Sequence, residues 1–223
     1  MSRGAFIILE GIDRTGKSTQ SAKLIESLRK LNINAERMAF PNRTSNTGQL
    51  ISKYLSNKDY HINDQTIHLL FSANRWENLD FIRSKLFAGT SIIVDRYSYS
   101  GVAYSVAKGL DFMWCLQPEV GLPQPDLVFL LDINPEDSRL RSGFGSERYE
   151  NLQMQKNVST ILRQFAEIEN YWKIVDASKS IEDVHEILLK HSNEIINDIQ
   201  IDKRPLTSIT STAIKRTYPI TLV

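Results

Sequence analysis

Cysteine is nearly absent: Cys115 is the single one in 223 residues. That excludes an internal disulfide and any cysteine-rich zinc site, and it makes a reducing compartment the default. Long hydrophobic runs are missing too. No apolar stretch exceeds five residues, as in Ala5 to Leu9 and Leu127 to Leu131, whereas a membrane span needs about eighteen or more. The first of these runs is too short for a signal-peptide core and meets Glu10 at once. Nor does one sign of charge dominate, with Lys+Arg 27 against Asp+Glu 26 and a net charge of +1. A domain whose main partner is a phosphate backbone is usually strongly basic. These absences point to a cytoplasmic protein with neither a nucleic-acid nor a membrane partner, and they leave mitochondrial or nuclear pools open.

The rest of the composition is ordinary for a globular chain, at 41% hydrophobic and 24% charged residues. Its length suits one domain with an appendage, large enough to fold without staples. Residues 5–9, 91–94 and 127–131 are short apolar runs of the kind a two-sided, buried parallel strand requires. Weaker strand candidates cover 34–40 and 171–175. Helical spacing marks Leu24, Ile25, Leu28 and Leu31, a long stretch from about 64 to 88, then 149–169 and 181–198. This alternation predicts an α/β fold: a doubly wound parallel sheet of about five strands with helices on both faces. The domain is predicted over 1–198. From 199 to 223 the chain becomes rich in Ser and Thr, with no acidic residue after Asp202. It reads as a poorly ordered tail, with an annealed edge strand as the alternative.

Gly11-Ile12-Asp13-Arg14-Thr15-Gly16-Lys17-Ser18 follows the first strand candidate and opens a helical pattern. In that context G-x-x-x-x-G-K-S is a phosphate-binding loop, because backbone N–H groups and a helix N-terminus converge on the anion. Gly11 and Gly16 let the loop wrap closely. Lys17 is expected to reach the β- and γ-phosphates, and Ser18 to join a Mg²⁺ shell. A GTPase would need an Asn-Lys-x-Asp guanine reader after a strand. Asn57-Lys58-Asp59 has its Asp one place early and follows no strand.

Two strand candidates end in aspartate, Asp95 and Asp132. Asp95 precedes Arg96 at the strand end where doubly wound sheets bind ligands, and it is the favoured metal-organising acid. Asp132 leads into Asn134-Pro135, which reads as a helix start. Arg14 inside the loop and Arg96 beside Asp95 suit a transferring phosphoryl group, since guanidinium matches its oxygens and stays charged. Arg139, Arg141 and Arg148 flank Gly143-Phe144-Gly145, a pattern expected of a lid.

These strings, together with Phe40-Pro41-Asn42-Arg43, Phe71-Ser72-Ala73-Asn74-Arg75-Trp76-Glu77, Asp95-Arg96-Tyr97 and Glu147-Arg148-Tyr149-Glu150, resemble the thymidylate (dTMP) kinases of eukaryotic and poxviral type. The resemblance spans about residues 3–198. It implies transfer of the ATP γ-phosphoryl to dTMP with Mg²⁺, and a homodimer. It implies ATP contacts from Gly11, Arg14, Thr15, Gly16, Lys17, Ser18, Thr19, Arg96 and Lys179, and metal ligation by Ser18 and Asp95. For dTMP it implies Asp13 on the 3′-hydroxyl, Phe71 stacked on thymine and Arg75 on its carbonyl. Arg43 and Arg96 would hold the acceptor phosphate, Phe40 and Tyr104 would wall the pocket, Gly101 would also contact dTMP, and Tyr149 would crowd C2′ and so exclude ribonucleotides, with Gln155 nearby. The catalytic group is expected to be Arg14, Lys17, Asp95, Arg96 and Arg141. Tyr104 stands where phenylalanine is frequent. The rivals are another pyrimidine nucleoside monophosphate kinase, such as one for UMP, and a nucleotide-binding protein without turnover.

Overall fold

The structure, a computed structural model, describes residues 2–210. The chain runs β1 (Phe6–Glu10), α1 (Lys17–Lys30), β2 (Ala35–Ala39), α2 (Asn46–Ser56), α3 (Asp64–Trp76), α4 (Leu79–Phe87), β3 (Ser91–Asp95) and α5 (Ser98–Val106). It continues through α6 (Phe112–Leu116), a 3-10 turn at Gln117–Glu119, β4 (Leu127–Asp132), α7 (Pro135–Arg139), α8 (Leu152–Ile168), β5 (Trp172–Asp176) and α9 (Ile181–Asp202). Among the described residues the strands form one parallel sheet in the order β2-β3-β1-β4-β5.

The strand order explains the uneven strand signals in the sequence. β1 and β3 are buried along their whole length and β4 almost so, because helices cover both faces of the sheet centre. The edge strands β2 and β5 alternate with exposed residues, and Ile174 on β5 is largely exposed. β1 lies between β3 and β4, so the loop after it opens at the topological switch point, the usual ligand crevice of such sheets. An aromatic group seals the flank beneath α8, with Phe165 stacked on Trp172 at 5.9 Å and Tyr99 edge-on to Trp172 at 4.9 Å.

Three expectations need correction. The stretch from 64 to 88 is two helices, α3 and α4, separated at Glu77-Asn78. Asn78 donates to the Asn74 carbonyl, and Asn74 in turn bonds the chain around Asn42, so the break is fixed by tertiary contacts. The last helix runs to Asp202, beyond the domain boundary placed at 198. The start of the tail is docked: Gln124 N–H donates to Thr207 O, and Gly121 and Leu122 exchange backbone bonds with Ile209, which is buried in the core. Arg3, paired with Asp126, donates to the carbonyls of Arg204 and Pro205. Docking follows because Ile209 covers apolar surface while its backbone pairs with 121–124. The expectation for residues 211–223 lies outside the described residues.

Candidate active site

The strand ends surround a cleft of about 1520 Å³. Of the predicted site residues, all line it except Gly11 and Gln155. Gly11 has φ 147°, and a Cβ there would sit 2.6 Å from Leu131 O, so no side chain fits against β4. Gly16 begins α1 in the left-handed region and gives it no side-chain cap, so the first N–H groups of α1 open onto the cleft. Lys17 is buried and folds onto its own loop, donating to Ile12 O at 2.5 Å and Thr15 Oγ1 at 3.1 Å. Burial first, then the nearby Arg96 charge, lowers its pKa to about 7. Ser18 Oγ donates to Asp95 Oδ2 at 2.5 Å, bringing hydroxyl and carboxylate together at the loop mouth. Thr19 and Lys179 are exposed on the same side. Asp132 instead takes a bidentate pair from Arg163.

Opposite lies a network around Asp13. Its carboxylate accepts from Arg96 Nη2 at 2.5 Å, Gln155 Nε2 at 2.7 Å and Tyr104 Oη at 3.0 Å. Its backbone N–H donates to Gln155 Oε1 at 2.7 Å, so Gln155 grips Asp13 from behind the cleft wall. Burial alone would raise the Asp13 pKa, but Arg96, Lys17 and these hydrogen bonds hold it below the usual carboxylate value. The hydroxyl of Tyr104 thus binds Asp13 directly, while its ring lies 5.4 Å from that of Tyr149. Tyr149 Oη donates to Tyr54 Oη.

Another part of the cleft wall carries Phe71 and Arg75 at i, i+4 on α3, hence on one face. Arg75 is held by Glu119, with Nε and Nη2 donating to the two carboxylate oxygens at 2.7 and 2.5 Å, both residues being essentially inaccessible. A Cβ on Gly101 would lie 2.5 Å from Arg75 Nη2, so glycine there leaves room for the guanidinium. Phe40 is buried beside Tyr97, and Arg43 pairs with Glu147 at 2.7 Å.

The glycine-rich segment around Gly143 lies against the phosphate loop. Arg14, at φ 63°, donates to Glu150 Oε1 at 2.9 Å and to Gly143 O at 2.6 Å. Arg141 bridges Arg14 O and Ala177 O, both at 2.8 Å. Arg148 differs from the lid expectation. It donates to four carbonyls between Tyr54 and Tyr60 and packs on the Tyr54 ring, which makes it a brace to α2. Arg139 faces Glu136 on its own helix. Sequence reasoning missed Glu10, Glu119 and Glu150, all buried beside cleft arginines or their partners. Glu10 had a usable signal: like Asp95 and Asp132, it is a carboxylate ending a buried strand. Glu119 had none, because Arg75 is distant in sequence, and Glu150 stood in the Glu147–Glu150 string with nothing to tie it to Arg14.

A phosphate loop, an acid on the adjacent strand and a convergent set of arginines at the switch point define a P-loop nucleoside monophosphate kinase. The thymidylate kinase family model matches residues 9–188. Thymidylate kinase of Homo sapiens is 48% identical over 196 residues, covering 87% of this chain and 92% of that protein. The enzyme of Arabidopsis thaliana is 53% identical over 182 residues, covering 82% and 68%. The solved structure of thymidylate kinase from Candida albicans superposes with a TM-score of 0.83 at 36% identity, covering 94% of this chain and all of that one. The chain belongs to the thymidylate kinase family. It is a phosphotransferase that uses ATP as co-substrate and dTMP as acceptor. Among the described residues, no helix is long and apolar enough to cross a membrane.

Proposed function

We propose a division of labour within this cleft, carried by one observation: Asp13, inside the phosphate loop, is hydrogen-bonded to Arg96, Tyr104 and Gln155 on the acceptor wall. One short segment therefore links both substrates. Phe71 stacks on thymine and Arg75 donates to its carbonyl, while Arg43 and Arg96 hold the acceptor phosphate. Asp13 receives the 3′-hydroxyl, and Tyr149 fills the space a 2′-hydroxyl would need. On the donor side the loop N–H groups, Lys17, Thr15 and Thr19 hold the ATP phosphates, and Lys179 lies against the adenine. Arg14 and Arg141 meet the charge that spreads over the transferring group, so positioning and charge neutralisation supply most of the catalysis.

The oxygen donors Ser18 and Asp95 fit Mg²⁺, which takes few protein ligands when phosphates complete its shell. Bound there, the ion neutralises phosphate charge. The proposal extends to a homodimer, in which a second copy would cover the exposed Leu69 and Trp76 on α3. A coupled ADP-release assay with dTMP and UMP side by side tests the reading. Turnover strongly favouring dTMP is expected; equal turnover would assign a broader pyrimidine kinase, and none would assign a binding protein.

A further inference from the structure

Glu10 ends β1 and is completely buried, yet the division of labour above gives it no task. Its Oε1 accepts the N–H groups of Tyr97 at 2.9 Å and Ser100 at 3.1 Å. Its Oε2 accepts the Ser100 hydroxyl at 2.5 Å. Those two N–H groups lie at the start of α5, whose own N-cap residue, Tyr97, makes no side-chain cap bond. Glu10 therefore caps a helix from a strand nearly ninety residues away. Capping of this kind uses the orphan donors every helix start leaves.

The same carboxylate reaches Arg96 through one intermediary. Arg96 Nη1 donates to Ser100 Oγ at 3.0 Å and to Gly11 O at 2.8 Å, and the Ser100 hydroxyl in turn donates to Glu10 Oε2. With Nη1 fixed by that chain and Nη2 on Asp13, the guanidinium plane is set from both ends. Arg96 also occupies the left-handed region, φ 66°, where a non-glycine residue persists only if its surroundings hold it. They do: Arg96 N–H donates to Leu9 O, and the next N–H goes to Glu10. Only a carboxylate can accept all three donors, since an amide offers one acceptor oxygen.

We infer that Glu10 is a positioning residue for the acceptor phosphate: through Ser100 and the start of α5 it fixes the orientation of the Arg96 guanidinium. This rests on the reading of Arg96 as the acceptor-phosphate group. α5 also bears Gly101 and Tyr104, so the same anchor sets where the acceptor wall stands.

The test is steady-state kinetics, with both KM values, on Glu10→Gln, Ser100→Ala, Arg96→Ala and the Glu10→Gln/Arg96→Ala double variant. Glu10→Gln should raise KM for dTMP about tenfold while KM for ATP stays within about twofold, consistent with mispairing a hydrogen bond to a charged group. Ser100→Ala keeps the backbone caps and removes the hydroxyl that joins Glu10 Oε2 to Arg96 Nη1. It should raise KM for dTMP severalfold while the protein still unfolds cooperatively at a modestly lower melting temperature, and it carries the test if Glu10→Gln does not fold. In the Arg96→Ala background Glu10→Gln should add less than twofold, because coupled residues are not additive. A harmless Ser100→Ala beside a damaging Arg96→Ala overturns the inference alone, as does a Glu10→Gln effect undiminished in the double variant. An Arg96→Ala variant with unchanged dTMP KM removes the reading of Arg96 and the inference together.

Discussion

On the Asp13 side of the cleft, charged side chains meet protein partners: Arg96 with Asp13, Arg75 with Glu119, Arg43 with Glu147. On the Ser18 side, Ser18, Thr19 and Lys179 stand exposed, and Lys17 folds back onto a carbonyl of its own loop. In the proposed division of labour the acceptor half is a braced pocket, and the donor half is an uncapped helix N-terminus facing the cleft beside Arg14, which pairs with Glu150. The contrast teaches where stability and chemistry reside. The buried Arg75–Glu119 pair ties that part of the proposed acceptor wall to folding, so damage there should cost both. On the proposed reading the donor side stabilises charge that develops during transfer, and damage there is expected to cost rate.

The sharpest way to break this contrast is at Glu119. Glu119→Gln leaves Arg75 buried with half its partner, which should cost on the order of 3 kcal/mol. For a chain of this size each kcal/mol moves the melting temperature by roughly 2–4 °C, so thermal melts should show a fall of about 6 °C or more. A melting temperature at the wild-type value would mean the acceptor half is not braced as described. Arg14 should behave oppositely. Arg14→Ala is expected to lower kcat by about 10²–10³ with only few-fold changes in KM. Arg14→Lys should recover little, since an ammonium lacks the planar fork. A steep rise in KM for ATP at constant kcat would instead make Arg14 a ground-state binding residue.

Much of this contrast could be read in the sequence, and unevenly. Central strands announce themselves because a strand buried on both faces must be apolar throughout, as in Phe6–Glu10 and Leu127–Asp132. The phosphate loop is local, so eight consecutive residues suffice to display it. α5 was not legible. Ser98–Val106 has no capping residue of its own, and its anchor, Glu10, is brought to it only by the pairing of β1 with β3. The break between α3 and α4 carries no glycine or proline and depends on Asn74 reaching the chain at Asn42. Residues 203–209 look like a tail by composition, yet they pair with 121–124 across the fold. Each miss is a contact between distant segments, which local periodicity does not encode.

Two smaller effects sharpen the comparison. Phe71→Ala should weaken dTMP binding by about 1–3 kcal/mol while ATP binding is nearly unchanged, by analogy with aromatic base platforms. Calorimetric titration of each ligand checks it, and equal losses for both would make Phe71 a packing residue. His68 lies behind Arg75, hydrogen-bonded to Ser105 Oγ and Cys115 O. Burial above all, then the Arg75 charge, lowers its pKa despite the opposing pull of Glu119. The folded protein therefore keeps His68 neutral while the unfolded chain takes up a proton below about pH 6.5. Stability should fall as pH drops below that value, by at most about 1.4 kcal/mol per unit from this group. Urea unfolding at pH 7 and pH 5 should show a smaller decline in His68→Gln; an equal decline would place the acid sensitivity elsewhere.

The most direct test of the braced-against-open contrast is amide hydrogen exchange with and without each nucleotide. The N–H groups of Asp13, Tyr97 and Ser100 donate to buried side chains, Gln155 for the first and Glu10 for the other two. They should exchange slowly in the protein alone and gain little from dTMP, whereas residues 141–147 and 177–181 should gain strong protection from a non-hydrolysable ATP analogue. Fast exchange at Asp13, Tyr97 and Ser100 in the protein alone, with large protection by dTMP, would contradict the account.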